Sequence, residues 1–142
     1  RFDEAVEDEK VSSYCQKRSP GPHMETTVRI FRDMRRQLAP QQGQPRETWL
    51  QAMAIGDDVA IVGVPAEYFT GLGMDVKKRS PFKYTVIASL SNDWIGYLPD
   101  REGHRLGGYQ TWMGLHSYAE VGTGERMADE AVAMLMELKN RD

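Results

Sequence analysis

The sequence predicts an α/β chain of the α+β kind, a mixed sheet with helices covering it. Two apolar runs flank Gly56-Asp57-Asp58, the pattern of a β-hairpin. The second of these runs, Val59 to Val64, is apolar throughout rather than alternating, which predicts a strand buried on both faces. Two longer segments, 24–38 and 123–140, carry apolar residues at helical spacing.

Each element follows from local chemistry. Residues 1–16 mix acids with Phe2, Val6, Val11 and Tyr14 and read as a weakly patterned helix. The stretch 17–23 holds Pro20 and Pro22 and breaks it. Met24, Val28, Phe31, Met34 and Leu38 then share one helical face. Arg29, Arg32, Arg35 and Arg36 fall mostly elsewhere and read as solvated surface rather than a phosphate site. A polar loop with Pro40 and Pro45 leads to the hairpin, which Pro65 ends. Residues 66–79 read as a helix, with Tyr68, Leu72 and Val76 on one face and Lys77, Lys78 and Arg79 in the last turn, where cations suit the free carbonyls. Ser80-Pro81 stops it.

The segment 82–90 is rich in β-branched and aromatic residues and reads as a strand. Asn92-Asp93 makes a turn, and 94–98 reads as a short returning strand. After Pro99, Asp100-Arg101-Glu102 begins a brief helix that Gly107-Gly108 ends. Residues 109–118 read as extended. Met127, Ala131, Leu135 and Leu138 stripe the last helix, with Thr123 as its N-cap. This divides the chain into a helical and linker region, 1–46, and a sheet-forming region, 47–142.

Composition narrows the function. The net charge of −3 and pI near 5.7 argue against a general nucleic-acid partner. No apolar run approaches the roughly 18 residues that a membrane span needs. The chain opens on Arg1 with no secretory apolar core, which reads as a soluble piece of a longer polypeptide, exported only if a leader lies upstream. The single cysteine, Cys15, excludes an internal disulfide and a cysteine-based zinc site. His23, His104 and His116 show no metal-ligand spacing, so a zinc site built wholly within the chain is not expected.

Three residues stand out. Glu67 follows an apolar strand and a proline, at the expected start of a helix. Backbone N–H groups there favour an ionised carboxylate, suited to metal ligation, general base work or simple capping. Tyr97 and Tyr109 sit in a polar, glycine-containing loop region after the apolar strand. A phenol can ligate a cation or donate to an oxyanion, and equally it can only pack.

The runs VAIVGVPAEYFTGLG (59–73) and YTVIASLSNDWIGYLPDREGHRLGGYQ (84–110) resemble the C-terminal half of the catalytic domain of the neutral/alkaline non-lysosomal ceramidases and their bacterial relatives. The family pattern, a strand ending in Gly-x-Pro-Gly/Ala-Glu-Phe and later an Asn-x-Tyr-x-x-Tyr, falls on Gly63 to Phe69 and on Asn92 to Tyr97. The family's second tyrosine falls on Tyr109, between Gly108 and Gln110. The resemblance implies part of a larger layered β/β/α zinc hydrolase domain that cleaves a linear N-acyl amide, such as a lipid or sphingolipid, with zinc-activated water.

On that resemblance Glu67 and Tyr97 are metal ligands, Tyr109 stabilises the oxyanion, and Trp94 walls the substrate pocket. Two further histidine ligands are implied from an upstream part of the same polypeptide, so the 142 residues alone are expected to be inactive. The chain departs from the pattern after Tyr109, where YQTWMG replaces Tyr-Glu-x-Ala-Ser-Thr, and in a shorter loop between the helix and the next strand; both weaken ceramide itself as the substrate. The rival expectation is a non-catalytic α/β module that packs, or self-associates into a homo-oligomer through exposed strand edges.

Overall fold

A computed structural model describes residues 2–18 and 20–141. Two helices, α1 (Glu4–Arg18) and α2 (His23–Leu38), form a hairpin, and a 3-10 turn (Ala39–Gln41) leads into the sheet region. There follow β1 (Gln51–Ile55), β2 (Val59–Val64), β3 (Glu67–Tyr68), α3 (Thr70–Arg79), β4 (Tyr84–Ser89), β5 (Tyr97–Leu98), α4 (Arg101–Leu106), a 3-10 turn (Tyr109–Thr111) and α5 (Thr123–Lys139). The α+β class is as the sequence predicts. The main sheet has the order β1-β2-β4, with β1 antiparallel and β4 parallel to β2. A second, two-stranded sheet pairs β3 with β5 in parallel.

The core lies under one face of the main sheet. Ala60, Val62 and Val64 of β2 are buried with Val76 of α3 and with Ala131 and Leu135 of α5. The opposite face is open. Met53, Ile61 and Val86 stand in one cross-strand row and Ile55, Val59 and Tyr84 in the next. Met53, Ile55, Tyr84 and Val86 are each about half exposed, between 46% and 61%. The expectation that β2 is buried on both faces is therefore corrected. Its apolar run fills a central strand, but among the described residues no layer covers the second face.

Several local readings also change. The helix after Pro65 begins at Thr70, not Ala66, because residues 67–69 are drawn into backbone pairing: Glu67 N–H donates to the Gly96 carbonyl at 2.9 Å, and Phe69 N–H to that of Leu98 at 3.2 Å. Residues 94–98 do not return along β4. Leu90 (φ 58°) and Asn92 (φ 69°) take left-handed conformations, and the chain crosses to β3 instead. Residues 109–118 are not extended but form the 3-10 turn and an isolated bridge between Gly114 and Ser117. The last helix is capped by Gly122 (φ 93°), one residue before Thr123. The brief helix after Pro99 forms as expected, and Asp100 caps it, its side chain accepting from Gly103 N–H at 2.6 Å.

The arginine face of α2 is the largest correction. Arg35 is fully buried, not solvated. It lies four residues after Phe31 and so shares its inward face. Its Nε donates to Glu4 at 2.9 Å, and it also pairs with Asp8, which receives Arg32 as well. A second apolar cluster sits beside this pairing, where Val11 of α1 and Phe31 of α2 enclose Trp112. The two acids of α1 and two arginines of α2 thus tie the hairpin together, while Trp112 ties it to the sheet region.

Burial pushes the Asp8 carboxyl up, but the hydrogen bonds and charges of Arg32 and Arg35 outweigh it and hold the group below its ordinary value. A depressed carboxyl contributes stability that is present above the unfolded pKa, near 4, and is lost as pH falls through the lower folded value. Asp8→Asn is expected to lower stability near pH 7 by on the order of 2 kcal/mol, the scale of a charge-assisted hydrogen bond. Wild type and variant should converge as pH drops below about 4. Urea unfolding followed by tryptophan fluorescence checks this, because Trp112 is buried whereas Trp49 and Trp94 are exposed. A constant gap between the two proteins down to pH 2 contradicts it.

Candidate functional site

Parallel β2 and β4 run toward the same end of the sheet, and the chain leaves both near the second sheet. Ligand sites in such sheets form beyond the carboxyl ends of the parallel strands. Here β2 leads through Pro65 and Ala66 into Glu67, while Leu90 N–H donates back to the Ala66 carbonyl at 3.2 Å. Glu67 and Tyr97 are direct partners in the β3–β5 register, so their side chains stand side by side.

These two side chains open into a shallow depression of about 580 Å³, lined also by Thr70, Ser89, Leu90 and Gln110. The Tyr97 phenol is held above its ordinary pKa, first by its hydrogen bond to the Glu67 carboxylate, then by burial and by the negative charge of that carboxylate. Glu67 is half-buried and lies in a strand, not in the first turn of a helix, so strand pairing rather than a helix terminus positions it. Its neighbour Tyr68 anchors the strand from the other side. The Tyr68 hydroxyl donates to the Gly124 carbonyl at 3.1 Å, and burial pushes its pKa strongly upward.

Tyr109 belongs to the same assembly. Its ring meets the Tyr97 ring edge-on, with centroids 5.8 Å apart and planes at 81°. The sequence-predicted trio of Glu67, Tyr97 and Tyr109, spread over more than forty residues, is brought together. Trp94 is not. It is about half exposed and does not line the depression.

His116, which lacks ligand spacing in the sequence, packs into the same assembly. Its ring lies 4.6 Å from that of Tyr109, tilted at 33°, and 6.0 Å from that of Tyr97. Its Nε2 is 3.0 Å from the Tyr109 carbonyl, and its own carbonyl accepts the Tyr97 N–H at 2.7 Å. The close approach depends on Gly96, at φ 84°: a Cβ there would stand 2.2 Å from the His116 carbonyl oxygen. Only the aromatic density of 109–118 pointed toward this packing.

No family model, curated protein or solved structure matches the chain.

The chemistry of the donor set bears on zinc. One carboxylate and one phenol, adjacent and open to solvent, are oxygen ligands of acceptable type. Among the described residues no group of three or more histidine, cysteine, aspartate or glutamate side chains converges on one point. The pair supplies two oxygen donors, fewer than the three or four protein ligands that a zinc site takes. Without metal, the arrangement presents a phenol and a carboxylate side by side to a bound polar group.

Removing the Glu67 charge should relax its neighbour. In metal-free protein, Glu67→Gln is expected to move the Tyr97 ionisation down toward the ordinary phenol range, near 10. Absorbance at 295 nm against pH, with Tyr97→Phe subtracted to isolate the residue, reads this. An unchanged titration would mean that the carboxylate does not hold the phenol.

Proposed function

We infer that the chain is part of a zinc-dependent hydrolase of linear amides, resembling the neutral/alkaline ceramidases. The observation that carries this reading is the pairing of Glu67 with Tyr97 on adjacent parallel strands, with Tyr109 packed on Tyr97. The resemblance implies that these three residues serve one ion, independently of their spatial relation. Glu67 and Tyr97 line one depression, and Tyr109 packs on Tyr97 beside it, which is the arrangement this reading requires.

Glu67 and Tyr97 would hold the ion together with two imidazoles from outside these residues. When bound, zinc supplies Lewis acidity and a nucleophile that is ionised near neutral pH. The chain's own contribution is positional. Glu67 brings negative charge, Tyr97 a phenol fixed beside it, and Tyr109 a donor for the carbonyl oxygen of an N-acyl amide as negative charge develops there. The shallow, open depression suits an extended substrate such as a lipid amide, whose remaining surface would be covered elsewhere.

Metal analysis of the polypeptide as made in its native cell, coupled to cleavage of a long-chain N-acyl amide, tests the reading. Wild type should carry about one zinc per chain, the number that one four-ligand site takes. Glu67→Ala should lose it and Tyr97→Phe should retain less. Tyr109→Phe should keep the metal and lose activity by about 10²–10³-fold, as removal of an oxyanion donor does. Equal zinc in wild type, Glu67→Ala and Tyr97→Phe refutes the reading.

One observation favours a second reading, a self-associating module. The open sheet face presents Met53, Ile55, Tyr84 and Val86 to solvent in adjacent rows. Contiguous apolar surface of this kind marks a contact site. On this reading the isolated chain dimerises at micromolar concentration, and Val86→Lys returns it to a monomer by sedimentation analysis. A wild-type chain that is already monomeric at high concentration rules the second reading out.

A further inference from the structure

We propose that His116 is a positioning residue that fixes the Tyr97 and Tyr109 phenols relative to each other, through a ring whose proton sits on Nε2. The geometry rests on three contacts. The His116 carbonyl receives the Tyr97 N–H at 2.7 Å, which ties residue 116 to strand β5. The His116 ring faces the Tyr109 ring at 4.6 Å. Its Nε2 reaches the Tyr109 carbonyl at 3.0 Å, closing a loop of eight residues, 109–116, on itself. One residue therefore contacts the backbone of one tyrosine and both the backbone and the ring of the other.

The tautomer follows from the partners. A carbonyl oxygen can only accept, so Nε2 is the donor. Nδ1 is buried and has no partner among the described residues. Its surroundings are Gly114, whose Cβ would lie 3.0 Å away, and the thioether of Met34, 3.2 Å from that same position. A proton on Nδ1 would be a buried donor with nothing to receive it. Phe31 of α2 closes the remaining side, edge-on to the imidazole at 5.2 Å. The ring is thus held on two faces by aromatic side chains and at one nitrogen by a hydrogen bond.

The purpose assigned to this arrangement rests on the hydrolase reading, in which both phenols serve one site. The arrangement itself does not, and it is tested on the metal-free 142-residue chain. Long-range proton–nitrogen correlation of the imidazoles is expected to show His116 as the Nε2–H tautomer, assigned by its loss in His116→Gln. An Nδ1–H tautomer overturns the proposal.

Amide exchange supplies the second readout. His116→Phe keeps an aromatic ring against Tyr109 and removes the donor. The Tyr97 amide should then exchange about tenfold faster relative to the amides of β2, the scale of one net hydrogen bond near 1.4 kcal/mol. His116→Gln, which restores an N–H donor, should recover most of the protection. If Tyr97 and β2 amides accelerate alike, or Tyr97 does not change, the residue is ordinary core and the proposal fails. Should His116→Phe not fold, the wild-type tautomer and the His116→Gln exchange pattern decide alone. None of these measurements involves zinc, so their failure leaves the hydrolase reading standing, and the failure of that reading leaves them unaffected.

Discussion

The site depends on a single parallel rung, the pairing of Glu67 with Tyr97. Two strands of two residues have little stability of their own. What holds them is the burial of their flanks. Ala66, Leu98 and Ile95 enter the core, and Pro65 and Pro99 are fully buried at either side of the pair. Proline suits both places because it has no N–H to leave unsatisfied. The Pro65 carbonyl is used, accepting from Ile95 N–H at 2.8 Å. The polar side chains at 67 and 97 are thus mounted on a backbone fixed by apolar neighbours, while the side chains themselves face outward.

Much of the fold was legible because local chemistry and tertiary packing agreed. The hairpin at Gly56-Asp57-Asp58, the stripe of α5, the start of α4 after Pro99 and the glycine stop after it are each set within a few residues of sequence. The misreadings share a different cause, a long-range partner overriding a local preference. Residues 66–69 carry helix-compatible residues but are claimed by 96–98 through backbone bonds. Arg35 reads as surface until Glu4 and Asp8 are opposite it. Those acids at i and i+4 of α1 and the arginines at i and i+3 of α2 are a pairing pattern that the sequence carries, although the arginines alone read as solvated surface. Glu67, Tyr97 and Tyr109 stand out by position and chemistry, but only the resemblance joins them into one set. His116 was missed because its role depends on backbone atoms, which leave no mark in residue spacing.

The helical hairpin is not separate from the site. Phe31 touches Trp112, Tyr109 and His116 edge-on, and lies one turn from the buried Arg35. The acid–arginine cluster therefore fixes the helix whose phenylalanine backs the imidazole. Burying a guanidinium is costly unless it is paired, and the pairing has strict geometry, so the cluster defines the position of α2 more sharply than apolar contact would. Mobile packing at Phe31 would pass to Tyr109, and the edge-on contact at 5.8 Å would pass it to Tyr97.

This also accounts for aromatic residues in so polar a loop. A site that presents hydroxyl groups to a depression needs side chains that are polar at the tip and apolar along the body. Serine or glutamine would offer the polar group without a body to anchor. A tyrosine ring has two side-chain torsions, and an edge-on neighbour restrains both at small entropic cost. Here the neighbours are other rings: Tyr97 against Tyr109, Tyr109 against His116 and Trp112, and all but Tyr97 against Phe31. The aromatic cluster is the rigid body and the Glu67–Tyr97 rung lies at its rim, so the polar pair stays half-buried while Phe31, Trp112 and His116 behind it are buried.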